Sequence, residues 1–264
     1  MDLFRIKKLS TMAALILSAA SCSVKEDRGA CPSWLRLDVT GCTETENLSI
    51  SAWNNDLDNG FSETIRPGDY PEPYEHSIGK GHVTLTVVND DSNMTRKGSR
   101  LVIPAGNSCG EIWAYTNNMI CEDEFVEETI TLHKQFARVY IKVKNPSDEP
   151  YPFRFTIEGD VNGIDLDNLS PSEGLFVTDV NVDEDNIAVF YLPRQTFNSR
   201  LRMVMRQKNV RLENFPLDEW IAKTGYDWTD QDLEDIYIGV DCARASICIS
   251  ISGWEEGNSM NIEF

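Results

Sequence analysis

From Trp34 to the C-terminus the chain runs in a two-residue rhythm. Leu35, Leu37 and Val39 alternate with Arg36 and Asp38; Leu48, Ile50 and Ala52 with Ser49 and Ser51; Val83, Leu85 and Val87 with Thr84 and Thr86. Within Phe136 to Val143, Val139, Ile141 and Val143 share one face, and Arg138, Tyr140 and Lys142 the other. Phe153, Phe155 and Ile157 oppose Arg154, Thr156 and Glu158; Leu201, Met203 and Met205 oppose Arg200, Arg202 and Arg206; Ile247, Ile249 and Ile251 oppose Cys248, Ser250 and Ser252. Such alternation marks strands with one dry and one wet face. Many short strands separated by Gly, Asn, Asp and Pro predict an all-β sandwich. One region departs from it. Pro216 suits a first helical turn, and Leu217, Trp220 and Ile221 fall at helical spacing, which predicts a short helix near 216–224. Thr229 followed by Asp232 resembles a capping box and predicts a helical turn near 229–234, with a strand over 235–241 directly after it.

The rhythm is absent before Trp34. Arg5, Lys7 and Lys8 precede an apolar stretch, Leu9 to Ala20, which ends in Ala19, Ala20, Ser21 and Cys22. Basic head, apolar middle and small-residue exit read as a secretory signal peptide over residues 1–21. The apolar part is about a dozen residues, well short of the roughly 20 that span a bilayer. The cysteine after the small residues resembles a bacterial lipobox, with Ala19 where that pattern prefers Leu. It implies acylation of Cys22; the other reading is an ordinary signal peptide whose cleavage falls near a cysteine. Residues 22–33 form a polar tether. Within it Lys25-Glu26-Asp27 resembles the acidic export tag of surface lipoproteins of Bacteroidetes-type bacteria.

Charge then restricts the partners. The chain carries 43 acidic and 24 basic residues, a formal net charge of −19. Such a surface repels phosphate backbones and anionic lipid, so nucleic acid is excluded as a partner and membrane attachment falls to acyl chains. One chain gives only marginal binding; several hold a protein permanently. Beyond Cys22 six cysteines remain, an even number in an exported chain, which permits disulfides. Sequence proximity pairs Cys31–Cys42, Cys109–Cys121 and Cys242–Cys248, the alternative being partly buried thiols. An acidic stretch, Glu122 to Glu128, separates two strand-rich blocks and places a domain boundary near residues 122–133, giving candidate domains 34–130 and 131–264.

Candidate chemistry is sparse. G-x-S-x-G, H-E-x-x-H and P-loop patterns are absent from the sequence, so no catalytic residue is assigned. His76 and His82 flank a Gly-rich loop and read as surface histidines, and the cysteines and histidines lack zinc-ligand spacing. Asn54 to Gly60 resembles a calcium loop, but its sixth position is Asn59 and its twelfth Ile65, so a solvated turn is the better reading; the same holds for Asp160 to Asp167. No metal and no cofactor is expected. Trp34, Trp113 and Trp254 lie in or beside alternating runs, where core packing is the default, whereas Trp53 abuts a loop and is a candidate for exposure.

In order along the chain, several pieces resemble one family. Asp27-Arg28-Gly29-Ala30-Cys31-Pro32 follows the lipid cysteine; Ile112 to Asn117 resembles a strand closing a first domain; Leu132 to Val139 resembles a strand opening a second; Gly163-Ile164-Asp165 and Phe190-Tyr191-Leu192-Pro193-Arg194 are similar to its middle; Ile249 to Trp254 is similar to its last strand. The family is the Mfa2/FimB-type minor fimbrial anchor lipoproteins of Bacteroidales, which belong to type V pili. The resemblance implies two tandem transthyretin-like antiparallel β-sandwiches, no enzyme activity, and a place at the fimbrial base. There Cys22 would hold the chain in the outer membrane at the cell surface, and shaft or accessory subunits would attach by strand addition. The C-terminal stretch Ala245–Phe264 is the segment expected to take part; otherwise it completes its own sandwich. The alternative expectation is a surface lipoprotein that captures a glycan or host ligand through exposed aromatics.

Overall fold

The computed structural model describes residues 31–42, 45–70, 72–89, 94–144, 154–207, 210–241, 246–251 and 260–263. Residues 1–21, Cys22, the tether to residue 30, Cys242 and Trp254 lie outside them. The strands of the N-terminal half are β1 (Ser33–Asp38), β2 (Leu48–Asn54), β3 (Asn59–Ile65), β4 (Tyr74–Ile78), β5 (Gly81–Asn89), β6 (Thr95–Lys97), β7 (Arg100–Val102), β8 (Trp113–Cys121) and β9 (Phe125–Thr129). Then come β10 (His133–Lys134), β11 (Phe136–Lys144), β12 (Arg154–Asp165), β13 (Ser170–Val180), β14 (Ile187–Pro193), β15 (Leu201–Gln207), β16 (Val210–Pro216), helix α1 (Leu217–Lys223), β17 (Ile236–Asp241), β18 (Ser246–Ile251) and β19 (Met260–Glu263). Every alternating run with described residues forms a strand.

The strands make two sandwiches. In the first, a three-stranded sheet β4-β1-β9 faces a five-stranded sheet β10-β8-β5-β2-β3. Leu35, Leu37, Leu48, Ile50, Leu85 and Val87 meet between them. In the second, the sheet β14-β11-β17-β18-β19 faces β16-β15-β12-β7-β6, with β13 on the opposite side of β12. Val139, Ile141, Phe155, Ile157, Met203 and Ile238 form that core, and α1 closes one end of it with Leu217, Trp220 and Ile221. The fold is therefore the all-β sandwich expected, with two additions. β1 runs parallel to β9, and β11 parallel to β17.

The two halves interlock. Val88, Leu101, Ile103, Ile112 and Ala114, all before residue 130, are buried in the second core. The hairpin β6–β7 pairs with β12 of the second sandwich, Leu101 with Ile164 and Val102 with Gly163, while Arg96 donates back to Ser49 Oγ of β2 at 3.2 Å. Backbone hydrogen bonds extend this addition at both ends, Ile103 N to Asn162 O at 2.7 Å and Leu166 N to Ser99 O at 2.7 Å.

Within the acidic stretch before residue 130, β9 pairs with β1, and Arg36 pairs with Glu75 and Glu127 across the sheet. Other expectations are corrected. Residues 229–234 form turns and bends, not a helical turn. Thr229 directs both its hydroxyl and its amide back to Asp227 Oδ1, at 2.6 and 2.8 Å, so Asp227 takes the capping role given to Thr229. Trp34 is 41% exposed because the alternation turns Leu35 and Leu37 inward and Trp34 out. Among the described residues no disulfide joins Cys31 to Cys42 or Cys109 to Cys121. Cys31 is exposed while Cys42 is buried with its Sγ directed at Ile130 O, and Cys109 and Cys121 belong to different cores, so neighbours in sequence are separated in space. Cys248 lies in β18, and its pairing with Cys242 falls outside the described residues.

Candidate functional site

Two places are candidates: the open sheet edges, and a pocket where the sandwiches meet.

The C-terminal sheet ends in two short strands. β18 pairs antiparallel with β17 from Ile236↔Ile251 to Asp241↔Ser246, and β19 pairs with β18 from Ser246↔Glu263 to Ile249↔Met260. The described part of Ala245–Phe264 thus completes its own sandwich. Its last strand has only four residues, and the outer side of β19 has no strand partner among the described residues. An unpaired row of backbone donors and acceptors is the physical requirement for adding another chain's strand. β3 is the corresponding edge of the first sandwich, and its mostly exposed sequence NGFSETI blunts it with polar side chains.

The pocket at the junction is open to solvent on one side and has a volume of about 470 Å³. Its walls come from β8 (Tyr115, Thr116), the β12–β13 turn (Asn168, Leu169), the segment after β14 (Arg194 to Phe197) and the loop 228–231. Arg194 is only 8% exposed. It donates from Nε to Gln135 Oε1 (2.9 Å), from Nη1 to the Trp228 carbonyl (2.5 Å) and from Nη2 to the Gln231 carbonyl (3.2 Å). These acceptors are all neutral oxygens. Burial pulls its pKa below the ordinary value, and Tyr226, Asp230, Asp232 and Asp227 act against that pull; a guanidinium remains charged throughout. Next to it, Gln195 is 3% exposed, donates from Nε2 to Pro193 O, and has a buried Oε1 that accepts no hydrogen bond. Leaving such an acceptor unsatisfied costs about 1–3 kcal/mol.

The surrounding groups fix this arrangement. His133 Nδ1 meets Asp232 Oδ2 at 3.1 Å and its Nε2 meets the Gln231 amide nitrogen at 2.7 Å, so Gln231 donates to Nε2 and Nδ1–H donates to Asp232. Burial works to raise the Asp232 pKa, but the Lys134 amide and His133 outweigh it and hold the carboxyl below the usual range. Tyr226 donates to Glu234 O at 2.8 Å, and its burial raises the phenol pKa well above the ordinary value. The Tyr115 phenol is pushed up to about 12 by burial and by its bond to Glu128.

The candidates singled out in the sequence lie elsewhere and apart. Asn54 is fully buried and folds the β2–β3 turn: its Oδ1 accepts from the Asp56 and Leu57 amides, and its Nδ2 donates to Gly79 O and Lys80 O. Asp56 accepts from the His82 amide and ring, while His76 stacks on Phe61 at 3.7 Å. Asp160 pairs with Arg200, and Asp165 Oδ1 caps the turn at Asp167. No cluster of three metal-ligating side chains occurs among the described residues. Trp113 is half-buried and packs edge-on to Phe136, whereas Trp53 is 46% exposed. The sequence reading missed the role of Arg194 and Gln195. Their signal was a polar pair directly after the buried run Phe190 to Pro193, a place where charge is costly without partners.

No protein-family model and no curated protein matches the sequence. Solved structures match by fold. The fimbrial anchor protein Mfa2 from Porphyromonas gingivalis superposes with a TM-score of 0.59 at 13% identity, covering 85% of this chain and 98% of that one. A polysaccharide-binding candidate from Bacteroides thetaiotaomicron gives 0.59 at 12% identity over 88% of this chain and 98% of its own. An adhesin candidate from Bacteroides ovatus gives 0.55 at 9% identity over 88% and 96%. At these identities what is shared is the fold.

Proposed function

We propose that this chain is a non-catalytic subunit of a surface fimbrium, the base anchor that holds the shaft to the outer membrane. The observation that carries the reading is the likeness to a fimbrial anchor along almost the whole of that protein's chain. The sequence before Trp34 supports it, since removal of a signal peptide over residues 1–21 would leave Cys22 as a site for the acyl chains an anchor needs. In this reading the neighbouring subunits bind by strand addition, and the C-terminal sheet, with its four-residue last strand, is where an incoming strand joins or replaces β19.

The test is acyl labelling of cells producing the wild type or Cys22→Ser, with the fimbriae followed in the same cultures. The expected outcome is label on the wild type alone, with fimbriae shed into the medium by the variant. Equal labelling of both proteins, or fimbriae retained on Cys22→Ser cells, would overturn the anchor role.

A further inference from the structure

We infer that the free end of the first sandwich, where the chain enters β1, rests on a lipid surface of neutral headgroups. This deepens the anchor reading and rests on acylation of Cys22. Among the described residues nine large apolar side chains are exposed. The five that belong to the first sandwich are Trp34, Trp53, Leu57, Ile120 and Phe125, between 41% and 58% exposed. Strand register brings all five to one end. Trp34 lies beside Phe125 where β1 and β9 begin, and Trp34 N donates to Glu124 O at 2.8 Å. Ile120 pairs with His82, near the end of β8 and the start of β5. Trp53 and Leu57 stand at the β2–β3 turn. That turn is tied to the same place, Asn55 N to His82 O at 2.8 Å and Asn54 Nδ2 to Gly79 O at 2.6 Å. The opposite end of these strands is covered, since β5 and β8 deliver Val88 and Ala114 to the second core.

Reach and charge say what covers this end. Exposed apolar side chains gathered in one place mark a contact with protein or with a membrane. Trp34 is twelve positions after Cys22, so even a fully extended tether keeps it within about 40 Å of the acyl chains. The end of the molecule nearest the bilayer is therefore the one that carries the exposed rings, and indoles favour the boundary between headgroup and acyl chain. Exposed carboxylates stand at the same end, Asp56, Asp58 and Glu122 to Glu124. The cations beside them, Arg36 and Lys80, are fewer, and Arg36 is already paired with Glu75 while its guanidinium lies 4.0 Å over the Phe125 ring. Anionic headgroups would be repelled. A zwitterionic headgroup offers its outer ammonium to the carboxylates, and the rings pass below it to the acyl boundary. In this orientation the second sandwich, with its β19 edge, points away from the bilayer.

The test floats the acylated full chain with phosphatidylcholine vesicles whose acyl chains are brominated, and reads tryptophan emission. Bromine quenches indoles that reach the acyl boundary. The wild type should float and be quenched. Trp34→Ser combined with Trp53→Ser should float and lose most of the quenching. Leu57→Glu combined with Phe125→Glu keeps both indoles, and it too should float and lose most of the quenching. All four side chains are exposed, so these substitutions keep the fold. Replacing part of the phosphatidylcholine by phosphatidylglycerol should weaken quenching of the wild type. Flotation without quenching, quenching kept by either double variant, or stronger quenching with phosphatidylglycerol would overturn the proposal and leave the anchor role intact. Failure to float would remove the acyl anchor and this contact with it.

Discussion

Gly163 sits where β7 lies beside β12, opposite Val102. A Cβ at that position would lie 2.0 Å from the Leu101 carbonyl oxygen, a backbone atom with no rotamer to escape into. Gly163→Ala therefore has to push the hairpin off β12, and denaturant unfolding should show a loss of about 1–3 kcal/mol. Gly60 meets a similar limit against Ala52 O at 2.2 Å, with the Trp53 indole laid across it. The tripeptide Gly163-Ile164-Asp165 was visible in the sequence, but its reason was not, because the obstructing atom belongs to a residue sixty positions earlier. Asp232 carries a different kind of prediction. Its folded pKa is depressed, so the stability it contributes is complete above the unfolded carboxylate value of about 3.9 and is lost as pH falls through the lower folded value. Melting temperature measured from pH 7 to pH 2 should fall most steeply below pH 4. Asp232→Asn should flatten part of that fall while costing less than about 1 kcal/mol at pH 7, since the carboxylate is half exposed.

Elements whose two faces differ in wetness were legible: β1, β2 and β11 follow from alternation, because burial of one face and solvation of the other is what alternation records. β5 alternates in sequence as well, but both its faces are buried, and Thr84 and Thr86 are satisfied by Asn118 Oδ1 and the Leu166 carbonyl. The hairpin β6–β7 was not legible. Thr95, Arg96 and Lys97 are all exposed, and the hairpin's one buried anchor is Leu101, too little for a periodic signal. Neither was β9, whose Glu127 pairs with Arg36 on a strand far earlier in the chain and whose Glu128 accepts from Tyr115 and Asn117. The junction pocket was illegible for the same reason, since its walls come from five segments far apart in the sequence, His133 and Gln135 among them. The hairpin's importance is testable through that anchor. Leu101→Ala should cost about 2 kcal/mol, the low end for a buried leucine, because the element is peripheral and its surroundings relax. Hydrogen exchange would locate the effect: the amides of Ile103 and Leu166, which bond across this addition, should lose protection while those of β2 and β5 keep theirs.

At the scale of the molecule, the question is whether two cores make two folding units. Each core has its own pair of sheets, which alone would allow independent unfolding. The strands argue otherwise. β5 places Val87 in the first core and Val88 in the second, and the β8 strand gives Ala114 to the second core while its far end gives Cys121 to the first. Ser108 and Tyr191, and Arg138 and Glu111, add hydrogen-bonded ties across residues that the sequence divides. Melting the second core would expose Val88, Ile112 and Ala114 and strip the partner from β6–β7, while melting the first would remove the strands that carry those residues. The apolar area at stake is a few buried side chains at about 1.5–3 kcal/mol each, comparable to the whole stability of a small domain. Coupling of that size predicts one cooperative calorimetric transition, with coincident loss of far-UV and near-UV circular dichroism. Two transitions separated by ten degrees or more would mean that the shared strands transmit little, and that the sandwiches are joined in sequence without being joined in energy.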